Sequence, residues 1–404
     1  MFKELRSVCS LTVIIAGLGY FVDSFDIAIF GVVRLASLQA LGITAPAALL
    51  DAGLTIYNAQ MAGMMVGGIC WGLLADRRGR LSVLFGSILL YSIASISNAF
   101  VTDVTSYAVC RFVAGVGLAG ELGAAITLVA ESLPTAQRGL GTTVVATMGL
   151  LGVTAAALFG QRMQWQTAYI VGGVLGLALL VARLRLTESV LFSRTTARAR
   201  ARTTALFRPA LARRYLACVL VGVPIYFANG VMLTFAPEIV AGLDVKGPVS
   251  AANAILFGSL GLATGDLVSG LVSQRLRNRK RVLAACLMLG FALIVVYTRM
   301  RGLTPGMLYT LNFLISGTVG YWAVLMTLSA EQFGTNVRGT VATTVPNFVR
   351  GSALFAASGF GMLKTTWSVP SAALLVASVC FALAFAGLTQ LDETFDRDLD
   401  YLEA

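Results

Sequence analysis

Long apolar stretches alternate with short polar breaks along the 404 residues. They fall at residues 11–37, 51–75, 81–101, 104–132, 138–162, 165–184, 214–241, 249–273, 280–298, 304–330, 338–362 and 369–389. A helix needs about 20 mostly apolar residues to cross a bilayer, whereas a barrel strand needs about 9–11. Only helices and closed barrels satisfy every backbone polar group in lipid. These runs have helix length, so the pattern predicts an all-α integral membrane protein with twelve transmembrane helices, here spans 1 to 12.

Composition agrees. Hydrophobic residues make up 57% of the chain and charged ones 12%, too little polar surface for a soluble domain of this size. The 42 glycines suit helix packing in lipid, where small residues let backbones approach. The net charge of +11 would fit a nucleic-acid partner, but its distribution points to lipid. With both termini inside, 22 of the 30 basic residues fall on inner segments, 5 on outer ones and 3 within spans. That bias orients the chain in a cytoplasmic membrane, with no nucleic acid partner. Lys3 and Arg6 precede an acid-containing first span without a clean small-residue cleavage site, so the span is expected to stay uncleaved.

Absent chemistry narrows the function. There is no histidine, which excludes His metal sites, Ser-His catalysis and His proton relays. The six cysteines are scattered without a C-x-x-C and read as small buried thiols. No G-x-S-x-G and no ATP-binding motif occurs. The expectation is a non-enzyme without metal or cofactor, driven by a gradient, and any proton carrier must be a carboxylate.

The halves repeat. Glu131 and Arg138-Gly139 form E-x6-R-G, and Glu331 with Arg338-Gly339 forms it again 200 residues later. Gly72-LLA-Asp76-Arg77 matches Gly270-LVS-Gln274-Arg275 at an offset of 198. The expected organisation is a six-helix bundle over 1–184, a basic linker over 185–213 resting on anionic lipid, a second bundle over 214–390, and a solvated acidic tail over 391–404.

Trp71 to Arg80 reads WGLLADRRGR, with Gly72, Leu74, Asp76, Gly79 and Arg80 in the order G-x-L-x-D-R-x-G-R. This resembles the loop between helices 2 and 3 of the major facilitator superfamily of transporters. The resemblance covers the whole chain. It implies two pseudo-symmetric six-helix bundles with a midplane substrate site between them. It also implies a cytoplasmic gate, for which the gating candidates are Asp76, Arg80, Glu131, Arg138, Glu331 and Arg338.

Charges inside spans are costly and suggest function. Asp23 and Asp26, three apart in span 1, share a face. Their D-x-x-D is similar to the span 1 signature of the aromatic-acid/proton symporters, with Ser24 where those usually carry glycine. Arg111 to Glu121, RFVAGVGLAGE, resembles the R-F-x-x-G-x-G-x-x-G-E of the same branch. Its G-x-G-x-x-G has no preceding strand, so close packing explains it better than dinucleotide binding. Arg350 stands where organic-anion carriers of the superfamily place a span 11 arginine. Asp26, Glu121 and Asp23 are the proton-coupling candidates. The competing reading is an inert ion pair joining spans 1 and 4.

Arg350 and Arg111 are expected to bind the anion, with Asn347, Tyr226, Asn229, Tyr321 and Gln60 as further cavity candidates. Asp266 is the alternative, structural partner for Arg350. Arg34 is expected to snorkel at the outer end of span 1. The function expected is proton-coupled symport of a small organic anion, a carboxylate, by alternating access in a monomer. The alternative is a proton-coupled exporter of drugs or siderophore-like polycarboxylates. The G-P pair of the drug-antiporter branch is missing from span 5, and a receptor on the same scaffold stays open.

Overall fold

The computed structural model describes residues 11–78, 80–121, 138–190, 208–395 and 403. Helices α1 (Leu11–Ala40), α2 (Pro46–Arg78), α3 (Arg80–Asn98), α4 (Val104–Leu118), α5 (Arg138–Gly160) and α6 (Trp165–Val190) form spans 1 to 6. Then come α7 (Pro209–Tyr226), a π turn (Phe227–Met232), α8 (Ala236–Val240), α9 (Ala251–Leu276), α10 (Arg279–Arg299), α11 (Pro305–Thr318), α12 (Trp322–Glu331), α13 (Thr335–Leu363) and α14 (Val369–Thr389). Among the described residues the fold is all-helical, and these helices fall on the twelve predicted spans, six in each half of the chain.

Two spans are broken where hydropathy predicted continuous helices. Span 7 is α7, the π turn and α8. Pro224 lies inside α7, and a proline there removes an N–H and disturbs the preceding turn. Span 10 is α11 and α12. At that break the Asp266 carboxylate, on α9, accepts the Ala323 N–H at 2.7 Å. It therefore caps α12, whose first amides have no intrahelical partner. Local caps start other helices. Asp103 accepts from the N–H groups of Thr105 at 2.8 Å and Ser106 at 2.9 Å, and Asn278 from that of Arg281 at 2.8 Å.

The chain divides into two compact units. The first is Met1–Thr44 with Thr55–Arg200, and the second is Ala45–Leu54 with Ala201–Ala404. The first packs α1 on α5 and α6, and α3 on α4 and α6. The second packs α9 on α11, α7 on α13 and α14, and α10 on α14. Glycines set the closest approaches. A Cβ on Gly63 would lie 2.1 Å from the Phe112 carbonyl oxygen, and one on Gly67 2.3 Å from that of Val116. In the second unit a Cβ on Gly261 would lie 2.0 Å from the Phe313 oxygen, and one on Gly265 1.9 Å from that of Gly317. Both pairs are four apart and separated by the same offset of 198, so the repeat extends from sequence to packing.

Three expectations need correction. The basic segment is shorter at both ends, because α6 continues to Val190 and α7 starts at Pro209. Arginine does not break a helix, and proline suits a first helical position. Arg34 does not snorkel, since it is fully buried. The start of the acidic tail is docked rather than merely solvated. Glu393 accepts the Lys280 N–H at 2.9 Å, and the Thr394 hydroxyl donates to Glu331 at 2.7 Å. The tail's residues 396–402 lie outside the described residues.

Candidate functional site

The first unit buries two ion pairs. Asp26 on α1 and Arg111 on α4 are both fully buried, with Arg111 Nη1 3.2 Å from Asp26 Oδ2. Arg111 Nη2 donates to the Asp26 carbonyl oxygen at 2.9 Å, and Nε donates to Gln60 Oε1 at 3.3 Å. Its guanidinium carbon lies 5.9 Å from the Phe30 ring centre and 5.5 Å from that of Tyr169. Aromatic faces favour a cation that has left water. Ser95 on α3 donates to the other Asp26 oxygen. Asp23, one turn earlier on α1, is also fully buried.

The second pair joins Glu121, just beyond α4, to Arg183 on α6. Arg183 Nη1 donates to Glu121 Oε2 at 3.1 Å, and Nη2 bonds the other oxygen. Two parallel N–H···O bonds are the planar fork that arginine makes with a carboxylate. Arg183 was missed in the sequence, where it heads a run of linker arginines. The usable signal was its position on the helical face of Gly172 and Gly176. α1 accommodates this pair with a glycine: a Cβ on Gly19 would collide with both the Glu121 carboxylate and the Arg183 guanidinium.

The second unit gathers a different set. Arg350, on α13 and 1% exposed, donates from Nε to the Tyr226 hydroxyl at 3.0 Å. The Tyr226 ring meets that of Trp322 edge to face, with centroids 6.0 Å apart. Asn229, in the π turn, donates to the Ile225 carbonyl oxygen at 3.0 Å. Asn347 lies one turn before Arg350 on α13 and is buried. Tyr321 is also buried and donates to the Val221 carbonyl oxygen at 2.9 Å, which fixes α12 to α7. The Asp266 carboxylate serves Ala323 and makes no bridge to Arg350.

Of the gating candidates, all of Glu131 and the side chains of Asp76, Arg80 and Arg138 lie outside the described residues. Glu331 forms a two-bond fork with Arg279, both contacts at 2.7 Å. Arg338 donates from Nε to the carbonyl oxygens of Ala330 and Phe333, each at 3.1 Å. The first is an end carbonyl of α12 and the second lies two residues beyond that helix, and basic side chains commonly satisfy such helix-end groups. Glu403 accepts from Arg214 at 3.2 Å and from the Gly334 N–H at 3.2 Å. Arg279 and Glu403 were not singled out in the sequence.

This arrangement has known relatives. Residues 16–357 match the Major Facilitator Superfamily. The chain is 26% identical over 385 residues to the putative niacin/nicotinamide transporter NiaP of Bacillus subtilis (strain 168), covering 91% of this chain and 94% of that one. It is 33% identical over 178 residues to the 4-hydroxybenzoate transporter PcaK of Pseudomonas putida, covering 43% of this chain and 38% of that one. Among solved structures, the xylose transporter XylE from E. coli, inward open, superposes with a TM-score of 0.72 at 17% identity, over 97% of this chain and 98% of that one. A match over most of the chain, a shared fold and, among the described residues, seven helices long and apolar enough to cross a membrane lead to one assignment: the chain belongs to the Major Facilitator Superfamily and is a multi-pass membrane transporter, not an enzyme.

Proposed function

We propose that the protein is a proton-coupled symporter of a small aromatic carboxylate, oriented with both termini in the cytoplasm of a cell whose inner membrane it spans. The orientation rests on the 22-to-5 bias of basic residues between the two sides. The substrate class is supported by relatives named for niacin and 4-hydroxybenzoate, and by the groups around Arg350. A guanidinium, a phenol and an indole edge offer what a planar aromatic acid requires: a fork for the carboxylate and an apolar surface for the ring.

The observation that carries the coupling is the Asp26–Arg111 pair. In a chain without histidine, a carboxylate must take the proton. A proton on Asp26 removes the charge that Arg111 neutralises, and Arg111 is then left to an anionic substrate. A substrate carboxylate near Arg111 in turn makes a neutral Asp26 cheaper. Each ligand favours the other, and such reciprocity is the thermodynamic content of symport. Glu121 with Arg183 is a second exchangeable pair.

The test uses purified protein in liposomes, with radiolabelled nicotinate and 4-hydroxybenzoate as probes. Wild type should accumulate one of them when the outside is more acidic. Asp26→Asn should abolish accumulation and keep counterflow. Arg350→Lys should weaken affinity by tenfold or more, or ~1.4 kcal/mol, because a point charge cannot replace the fork. Undiminished accumulation by Asp26→Asn would refute the coupling role.

A further inference from the structure

The break in span 10 is tied to its neighbours at three points within four residues. Between α11 and α12 the chain runs through Val319, Gly320 and Tyr321. Gly320 lies against α9: a Cβ there would stand 2.7 Å from the Leu262 carbonyl oxygen and 2.9 Å from the Asp266 nitrogen. Its own carbonyl oxygen accepts from the Ser269 hydroxyl at 2.9 Å. Tyr321 reaches the other way, to the Val221 carbonyl oxygen of α7. The Ala323 N–H then returns to α9 and bonds Asp266. Leu262, Asp266 and Ser269 are spaced by four and three residues, so they share one face of α9.

Asp266 meets a need of α12 itself. Tyr321 stands at the N-cap position and makes no side-chain cap bond. The first amides of α12 therefore lack the acceptor that a Ser, Thr, Asn or Asp would supply there. Asp266 supplies it from another helix, and its charge suits the partial positive charge of a helix start. Among the described residues this carboxylate bonds that amide and no cation, although a lone acid within a span is costly.

Trp322 sits between two anchored residues, Tyr321 held to α7 and Ala323 held to α9. It is half-buried, so part of its ring stays open to a ligand. The ring meets Tyr226 edge to face, and the Tyr226 hydroxyl accepts from Arg350. A slip of one residue at the start of α12 would turn Trp322 by about 100° and carry its ring away from Tyr226.

We propose that Asp266 is a positioning residue for substrate recognition. By holding the amino end of α12 it keeps the Trp322 ring against Tyr226, and so sets the surface that the substrate's aromatic ring meets beside Arg350. This role rests on the reading of Arg350 as the anion site. What Asp266 contributes is an acceptor oxygen, which asparagine also carries and which serves a helix start equally well.

Fluorine NMR of the full chain in detergent, with 5-fluorotryptophan incorporated, tests the positioning without substrate. The four tryptophans each give a line, and Trp322→Phe identifies that of Trp322. Asp266→Ala should move or split this line and leave the other three in place, whereas Asp266→Asn should leave it at the wild-type position. A Trp322 line that stays in place in Asp266→Ala, or in Ser269→Ala where the former does not fold, overturns the proposal. So does a line that Asp266→Asn displaces as far as Asp266→Ala does. Binding of radiolabelled nicotinate and 4-hydroxybenzoate gives the second reading. Asp266→Ala and Trp322→Ala should each weaken affinity about tenfold. The double variant should be no weaker than either alone, because both changes remove the same surface; losses that multiply overturn the proposal. Arg350→Lys separates the two ideas. If it binds as wild type does, the site reading fails, and the fluorine line still decides whether Asp266 positions Trp322. If it binds weakly while Asp266→Ala binds as wild type, only the positioning role fails.

Discussion

The two units end a helix at corresponding places and hold the residue three positions on with different chemistry. α4 ends at Leu118 and α11 at Thr318, positions 200 apart. Three residues on, the first unit has Glu121, held by Arg183. The second has Tyr321, held by the Val221 carbonyl oxygen. One unit therefore joins its helices there through a protonatable ion pair, the other through a neutral hydrogen bond. The same packing frame can host a site that responds to protons or one that does not, and the choice lies in a few side chains at the helix end.

The sharpest way to break this comparison is to remove the partners. Arg183→Ala leaves Glu121 buried and unpaired and should cost about 3–5 kcal/mol, with most of it recovered by adding Glu121→Gln. Tyr321→Phe, the counterpart, should cost only about 0.5–1.5 kcal/mol. Thermal melting of the three variants checks both values. Equal losses for Arg183→Ala and Tyr321→Phe would mean that the two helix ends do not differ in kind.

The packing frame should show the opposite behaviour, with similar costs in both units. Gly67→Ala and Gly265→Ala each drive a methyl into a backbone carbonyl, 2.3 Å and 1.9 Å from the new Cβ. Overpacking of that type costs about 1–3 kcal/mol. Melting losses that agree to within about 1 kcal/mol would support a shared frame, on the usual scale of overpacking effects.

The smallest effect is at the tail. Partial burial works to raise the Glu393 carboxyl. Backbone N–H groups of Lys280, Arg279, Phe395 and Thr394 outweigh it and hold the group below its ordinary 4.5. Because the folded value lies lower, this stabilisation is present above about pH 4.5 and fades as pH falls through the folded value. Glu393→Gln should therefore melt slightly below wild type at pH 7, and the gap should shrink toward zero in strong acid.

The spans were legible because lipid makes a coarse demand that a run of apolar residues meets on its face. The breaks in spans 7 and 10 were not, because hydropathy does not register which carbonyl an amide bonds. Pro224 was a local hint for the first. Gly317 and Gly320 hinted at the second. Asp26 and Arg111 stood out as charges in apolar runs. Their pairing was foreseeable as a link between spans 1 and 4, though the sequence reading also assigned Arg111 to substrate. Arg183 stayed hidden because it stands at the head of a run of arginines in the chain. The tail was misread because the partners of Glu393, Thr394 and Glu403, namely Lys280, Glu331 and Arg214, are distant in sequence.

The π turn at Phe227–Met232 has a consequence for how such a transporter diversifies. A π turn accommodates one residue more than the α-helical path it replaces, so it is equivalent to a one-residue insertion in span 7. Deleting a residue there would restore regular helix. It would also swing Tyr226 and its neighbours by about 100° relative to the residues that follow, the angle of one step in a helix of 3.6 residues per turn. A point substitution leaves that register intact. A single codon gained or lost can therefore change which side chains a span presents while leaving its length, hydropathy and charge almost untouched.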